Sequence, residues 1–238
     1  MIDVVIPTYK RPEKLERTIR SIRSEPDLRI RVFFDNNDTE SVAACSDLLE
    51  SRKDVEAVVL QKQYNAFGIW NVYSKDMPPE VEAFFYVCDD IEFLSDCIPK
   101  AVDAVRSLNG DGVVGLNQVN VKSDAGEGRS TSAMGLIGRV FAERFPSRCC
   151  FCPDYRVFQA DGELGIYARK VRRFHYEKDA KIIHYHPSHC SEPPDQTHRE
   201  VRKKKVAFRD LSTFKTRQRN GWLWGREFKT VFERKEES

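Results

Sequence analysis

The chain has 238 residues, 40% of them hydrophobic and 32% charged, the composition of a globular domain with a substantial core. No run approaches the roughly 18 apolar residues of a membrane span and no export signal opens the chain, which argues against a transmembrane protein. Seven cysteines without such a signal are expected as reduced thiols in a cytoplasm. The formal net charge of +2 is uneven: residues 198–238 hold 13 Lys+Arg against 6 Asp+Glu, and residues 1–197 hold 26 against 31. This predicts a main domain over 1–197 and a basic helical extension over 198–238, which suits an anionic partner such as DNA or a membrane surface, or is a solvated amphipathic helix.

Residues 3–7 read as a strand and 8–12 as a loop. Pro12 then suits the first turn of a helix carrying Leu15, Ile19 and Ile22 on one face. A second strand at 28–34 ends in Asp35-Asn36-Asn37-Asp38, and a helix over 39–51 leads to a third strand at 57–61. A short helix at 68–75 precedes a fourth strand from Phe84. A helix over 96–108, ended by Asn109-Gly110, precedes a fifth strand at 112–119. Strand–helix alternation with crossovers too long for hairpins predicts an α/β fold, a mostly parallel sheet with helices on both faces. Further on, 121–132 reads as a polar loop, 134–145 as strand or helix, and 161–171 as a helix. A short strand at 181–184 runs into His184-Tyr185-His186-Pro187-Ser188-His189, and the chain from Arg199 is helical and basic.

The stretch Phe84-Phe85-Tyr86-Val87-Cys88-Asp89-Asp90 carries the chemistry. An apolar run of this kind is a buried central strand, and ligands of open α/β sheets bind outside the carboxyl ends of strands. Hard oxygen donors there suit Mg²⁺ or Mn²⁺ and hence a phosphate-bearing substrate; the alternative is that Asp89 or Asp90 caps a helix or closes a turn. The loops after the first two strands face the same crevice. No G-x-G-x-x-G follows the first strand and no G-x-x-x-x-G-K-[ST] occurs anywhere, which argues against a dinucleotide dehydrogenase or a P-loop ATPase.

At this point the chain resembles the GT-A glycosyltransferases, and among them the large inverting family 2. Val5-Ile6-Pro7-Thr8-Tyr9-Lys10-Arg11-Pro12 is similar to that family's opening strand and loop. Asp35-Asn36-Asn37 is similar to its second-strand signal, Gly68-Ile69-Trp70-Asn71 to its G-x-x-x-[AR]-N helix, and Cys88-Asp89-Asp90 stands where it keeps D-x-D. The short length and the later half look most like small phage-encoded members. The resemblance implies a single GT-A domain that uses Mn²⁺ or Mg²⁺ to move a sugar from a nucleotide-diphosphate donor, with UDP expected, to a hydroxyl. Thr8, Tyr9, Arg11, Asp35, Asn71 and Asp89 would bind the nucleotide. Asp90 would bind the metal, with Glu92 as an alternative ligand and Cys88 as a departure from the pattern. His184 or His186 would complete the metal site, His184 preferred because it directly follows Ile182-Ile183. Asp161-Gly162-Glu163-Leu164 is similar to the segment that carries the base, with Ala160 in place of its usual Glu. Asp161 and Glu163, two apart in a helix, do not point the same way, so one is the base and Asp161 is preferred. The alternative is that Asp161 is an N-cap.

Rival readings remain. Cys149 and Cys152 have zinc spacing, which His186, His189 and Cys190 could complete. A nucleotidyltransferase would share the layered sheet but opens with a glycine-rich loop that 8–12 lacks. The run Arg202-Lys203-Lys204-Lys205 with Trp222 and Trp224 as stacking groups would suit a non-catalytic nucleic-acid-binding protein. Merged with transfer chemistry, the basic extension points to phage DNA carrying a hydroxymethylated base as acceptor, in the host cytoplasm. A cell-surface polysaccharide or a lipid-linked hydroxyl is the alternative.

Overall fold

The computed structural model describes residues 1–121, 132–190, 192–203 and 205–225. The expected polar loop over 121–132 and the last part of the basic extension fall mainly outside the described residues. The first half runs β1 (Ile2–Thr8), α1 (Pro12–Ser21), β2 (Leu28–Phe34), α2 (Thr39–Ala44), α3 (Ser46–Ser51), β3 (Val55–Val59), α4 (Ala66–Lys75) and β4 (Ala83–Tyr86). There follow β5 (Ile91–Phe93), α5 (Cys97–Ser107), β6 (Val113–Gln118), β7 (Gly135–Gly138), α6 (Arg139–Ala142) and a 3-10 turn (Pro146–Arg148). The chain closes with α7 (Ala160–Lys170), β8 (Phe174–His184), α8 (Gln196–Lys203) and α9 (Val206–Arg219).

These strands form one eight-stranded sheet in the order β3-β2-β1-β4-β7-β6-β8-β5. β3, β2, β1 and β4 are parallel neighbours, β7 is antiparallel to both β4 and β6, β8 is parallel to β6, and β5 is antiparallel to β8. The sheet is thus mostly parallel, as a GT-A-like α/β domain requires. β1 is buried along its whole length, and its alternation sorts the core: Val4 and Ile6 join the apolar layer of α1, α3 and α5, while Val5 joins that of α4, α6 and α7. β7 fits between two strands because both its ends are glycine, while Leu136 and Ile137 between them fill the two core layers. A Cβ on Gly138 would collide with the Gly110 backbone, and one on Gly135 would lie 2.7 Å from the Tyr86 hydroxyl.

Three elements differ from the sequence expectation. The helix over 39–51 is two short helices that meet at Cys45, whose thiol side is buried in the core. The segment 134–145 is both strand and helix, β7 then α6. The four-residue strand at 181–184 is the end of an eleven-residue one; Glu177, Lys178 and Asp179 are at least partly exposed, so no apolar run announced it.

The segment after α8 is built into the body. Asp210 of α9 is fully buried and accepts hydrogen bonds from the amides of Arg156, Val157 and Phe158, at 2.8 Å for the last two. Arg217 forks onto Glu163, with Nε to Oε2 at 2.9 Å and Nη2 to Oε1 at 2.8 Å, and reaches Asp154 at 2.6 Å. Tyr155 Oη and the Trp224 amide also donate to Glu163, at 2.5 and 2.7 Å. Burial opposes the Arg217 charge, but Glu163 and Asp154 hold its pKa above the ordinary value. Breaking such a pair leaves a buried charge. Arg217→Ala is therefore expected to lower unfolding free energy in urea by about 3–5 kcal/mol. The double variant Glu163→Gln/Arg217→Met should recover a large part of that loss.

Candidate active site

The carboxyl ends of β1, β2 and β4 bring three loops together. Thr8, the last residue of β1, donates its hydroxyl to Asp89 Oδ2 at 2.8 Å. Arg11 Nη1 donates to Asp89 Oδ1 at 3.0 Å and lies 3.6 Å from Asp90 Oδ2. The Lys10 amide donates to Asp38 Oδ2 at 2.7 Å, and Asp38 also caps α2 through Ser41, so the first two loops are held by one carboxylate. Thr18, on the otherwise apolar face of α1, clamps the acidic turn: its hydroxyl donates within 2.8 Å of the carbonyls of Asp89 and Ile91 and accepts from the Ile91 amide at 3.2 Å. Sequence reasoning missed Thr18, although a polar residue at i+3 from Leu15 and i−4 from Ile22 was the available signal.

Asp89 and Asp90 are 3% and 2% exposed, so their charges are strongly felt. Burial, with Asp90 beside it, pushes the Asp89 carboxyl up against the pull of Arg11 and Thr8. Burial also opposes the Asp90 charge, but the His184 ring, Arg11 and Lys14 hold that carboxyl well below the usual range.

His184 reaches this point through the register of β8, where it stands opposite Ile91 of β5. The Tyr185 amide donates to the Asp90 carbonyl at 2.8 Å. His184 Nε2 lies 3.4 Å from Asp90 Oδ1, and its Nδ1 is 2.8 Å from Gln118 Oε1. An amide oxygen only accepts, so Nδ1 carries a proton toward Gln118, and the Nε2 edge of the ring faces the carboxylate. Asp90 Oδ1 is buried and makes no hydrogen bond. Asn120 fixes the His184 backbone from both sides, at 2.8 and 2.9 Å. Gln118 ends β6 and Asn120 lies two residues beyond it; neither was foreseen as a site residue.

The other expected residues divide. His186 lies beside His184, with ring centroids 5.5 Å apart, and burial, His184 and His198 push its pKa down to about 4. Asp35 is buried at the end of β2 with Oδ1 unpartnered, and Tyr9 is half-buried in the same loop as Thr8. Asp161 opens α7, where Ser132 Oγ donates to its carbonyl at 2.6 Å and the Tyr86 hydroxyl donates to the Ser132 carbonyl at 2.9 Å. Burial raises the Asp161 carboxyl to about 6, against the amides of Gly162, Asp161 and Gln159.

Asn71 is not in this group: its side chain exchanges hydrogen bonds with the Phe151 backbone at 2.7 and 2.9 Å and anchors the 149–152 segment on α4. Glu163 is saturated by Arg217, Tyr155 and Trp224 and has no oxygen to offer a substrate. Glu92 accepts from the Tyr185 hydroxyl at 2.6 Å. Burial and the adjacent Asp90 and Asp89 raise the Cys88 thiol, which stays protonated against the core. The zinc reading is not supported, since Cys152 is buried in the aromatic core and no group of three or more His, Cys, Asp or Glu among the described residues could hold a metal. Trp224 is likewise occupied, its indole donating to the Cys149 carbonyl at 2.5 Å.

A further unforeseen group closes over the first loop. Asp195 caps α8 through the His198 amide at 3.0 Å, and its carboxylate holds Arg11 Nε at 2.9 Å and Lys14 Nζ at 3.2 Å. Thr18→Val would bury two carbonyls without their donor. It is expected to cost about 1–3 kcal/mol in urea unfolding, with Thr18→Ser near the parent value.

No curated protein sequence matches the chain. Among solved structures, the mannosyltransferase PcManGT from Pyrobaculum calidifontis, in complex with GDP-Man and Mn²⁺, superposes with a TM-score of 0.65 at 14% identity, covering 89% of this chain and 63% of that one. S. aureus TarS 1–349 in complex with UDP-GlcNAc gives 0.59 at 13% identity over 87% of this chain and 66% of that one, and TarS 1–349 alone gives 0.58 at 14% over 75% and 58%. The chain thus spans roughly three fifths of the length of these structures, and the likeness is one of fold. Residues 3–163 match Glycosyl transferase family 2, a span that holds β1 through the start of α7, and the chain belongs to that family of glycosyltransferases.

Proposed function

We propose that this glycosyltransferase is metal-dependent and inverting, and that it moves a sugar from a nucleotide-diphosphate donor onto a hydroxyl. The observation that carries the reading is Asp90 Oδ1, buried and without a hydrogen bond, with His184 Nε2 3.4 Å away: a carboxylate oxygen and an imidazole nitrogen side by side in a buried site. A divalent cation would take both as ligands, displacing any proton on Nε2. One carboxylate and one neutral imidazole suit Mn²⁺ better than Mg²⁺. Asp90 and His184 would hold it, with Gln118 fixing the ring. A bound divalent ion supplies charge neutralisation to the departing diphosphate. PcManGT was solved with Mn²⁺ and a GDP-sugar, TarS with a UDP-sugar, which supports a nucleotide-sugar donor; UDP is our choice of base.

The residues of this chain then take these roles. Asp35 offers its free oxygen to hydroxyl or N–H donors of the nucleoside, while Thr8 and Tyr9 flank the base. Asp89 stays locked to Thr8 and Arg11 and faces the ribose. Asp161 accepts the proton of the acceptor hydroxyl as the new glycosidic bond forms and the sugar–phosphate bond breaks on the opposite face. A carboxyl near pKa 6 is a better base than an ordinary one and is still ionised at neutral pH.

For the acceptor, DNA with hydroxymethylated bases drew on the basic extension and its tryptophans. Arg217 and Trp224 are engaged within the body, which favours a polysaccharide or lipid-linked hydroxyl. No helix among the described residues is long and apolar enough to cross a membrane, and we place the enzyme on the cytoplasmic side.

A thermal-shift screen of nucleoside diphosphates with and without Mn²⁺ tests the reading. One nucleotide should raise Tm only with the metal, Asp90→Ala should remove that shift, and no shift with any nucleotide would overturn the proposal. Gln118→Leu should weaken Mn²⁺ affinity about 10–100-fold with the fold intact. Asp161→Asn should lower kcat about 10²–10⁴-fold while leaving nucleotide binding unchanged. Because the raised carboxyl must be ionised to act, kcat/KM of the parent enzyme should fall tenfold per pH unit below about pH 6 and level off above it.

A further inference from the structure

The outer face of α9 has an unusual make-up. Val206, Asp210 and Arg217 turn inward and are buried. Opposite them, at i, i+7 and i+11, lie Phe208, Lys215 and Arg219, with Leu211 beside that line. Phe208 is 76% exposed and Leu211 38%. Lys205 and Arg209 flank the same end of the helix and are exposed. The one carboxylate between residues 205 and 219 is Asp210, and it is spent on the amides of 156–158. Val157, 37% exposed, is carried by that amide-donating loop, which leads directly into Asp161.

We propose that α9 is a membrane-docking helix, which seats the Asp161 side of the molecule on an anionic phospholipid surface and so presents the enzyme to a membrane-borne acceptor. The docking part stands on the α9 face alone; the acceptor part rests on the transferase reading above. Three features select this occupant. Unopposed cations along a helix draw it to anionic headgroups, and Phe and Leu among them enter the headgroup–acyl boundary. A protein partner fits less well, because the centres of protein interfaces are depleted in charge, and here Lys215 and Arg219 share the outermost line with Phe208. Nucleic acid also fits less well, because the face offers one exposed ring, Phe208, and its other apolar groups, Leu211 and Val157, are aliphatic, where a strand is bound by successive stacking rings.

The test is co-sedimentation of the full chain with vesicles of phosphatidylglycerol and phosphatidylcholine in equal parts, against vesicles of phosphatidylcholine alone. The expected result is binding to the anionic vesicles only, weakened by high salt. Phe208→Ser/Leu211→Ser and Lys215→Glu/Arg219→Glu should each lower partitioning about tenfold or more, with unchanged Tm and an unchanged nucleotide-induced shift. These substitutions are on the solvent face, and the unchanged shift separates failure of docking from failure of the donor site. The proposal is overturned if the parent protein ignores anionic vesicles, or if the Phe208/Leu211 variant partitions like the parent. It is also overturned if duplex or single-stranded DNA binds through these residues in preference to vesicles, or if sedimentation shows a dimer that the Phe208 substitution dissolves.

Discussion

Two adjacent carboxylates buried at the end of a central strand are the constraint on which the rest of this structure turns. Like charges side by side in a low-dielectric interior cannot both persist without compensation. The chain holds the carboxylates and the turn that carries them from three distant places. Thr8 and Arg11 come from the loop after β1, Thr18 from the middle of α1, and His184 from the far end of β8. The result is uneven: Asp89 is engaged by a hydroxyl and a guanidinium, while Asp90 Oδ1 makes no hydrogen bond and has His184 Nε2 3.4 Å away.

The same logic explains the second half of the chain. Glu163 would be a costly buried charge without Arg217, which arrives from α9, and α9 is in turn pinned by Asp210 on the amides that precede α7. This network holds the start of α7 still and therefore fixes Asp161. The basic extension is thus two things at once: its inward residues complete the core of the domain, and its outward residues leave a cationic face tipped with Phe208. The Asp195 carboxylate adds a contact in the other direction, joining α8 to Arg11 and Lys14 of the first loop and helix.

The relation to solved transferases has the same two levels. Family membership covers residues 3–163, where strands β1 to β7, the loops after β1 and β2 and the acidic pair lie. The fold likeness extends further, to 89% of the chain in one case, but at 14% identity it speaks to architecture. Ahead of the acidic pair stands a protonated Cys88, packed against both core layers.

By itself the sequence determined the alternation of strands and helices, the sharp stop of an apolar run at Asp89-Asp90, and the convergence of three strand-end loops. Each depends on local periodicity or on residues close in the chain, and an apolar strand ending in carboxylates reads the same in any context. The sequence could not reveal β7 slipping between β4 and β6, because two apolar residues between glycines are too short a pattern to name a strand until two backbones close around it. It could not separate Asp161 from Glu163 by their partners, since Arg217 and Trp224 lie more than fifty residues away. Nor could it find Gln118, Thr18 or Asp195, ordinary polar residues whose meaning comes from what faces them. The tertiary structure decided these points because hydrogen bonding and burial are properties of neighbours in space, and for β8 one register choice, His184 opposite Ile91, brings the imidazole to Asp90.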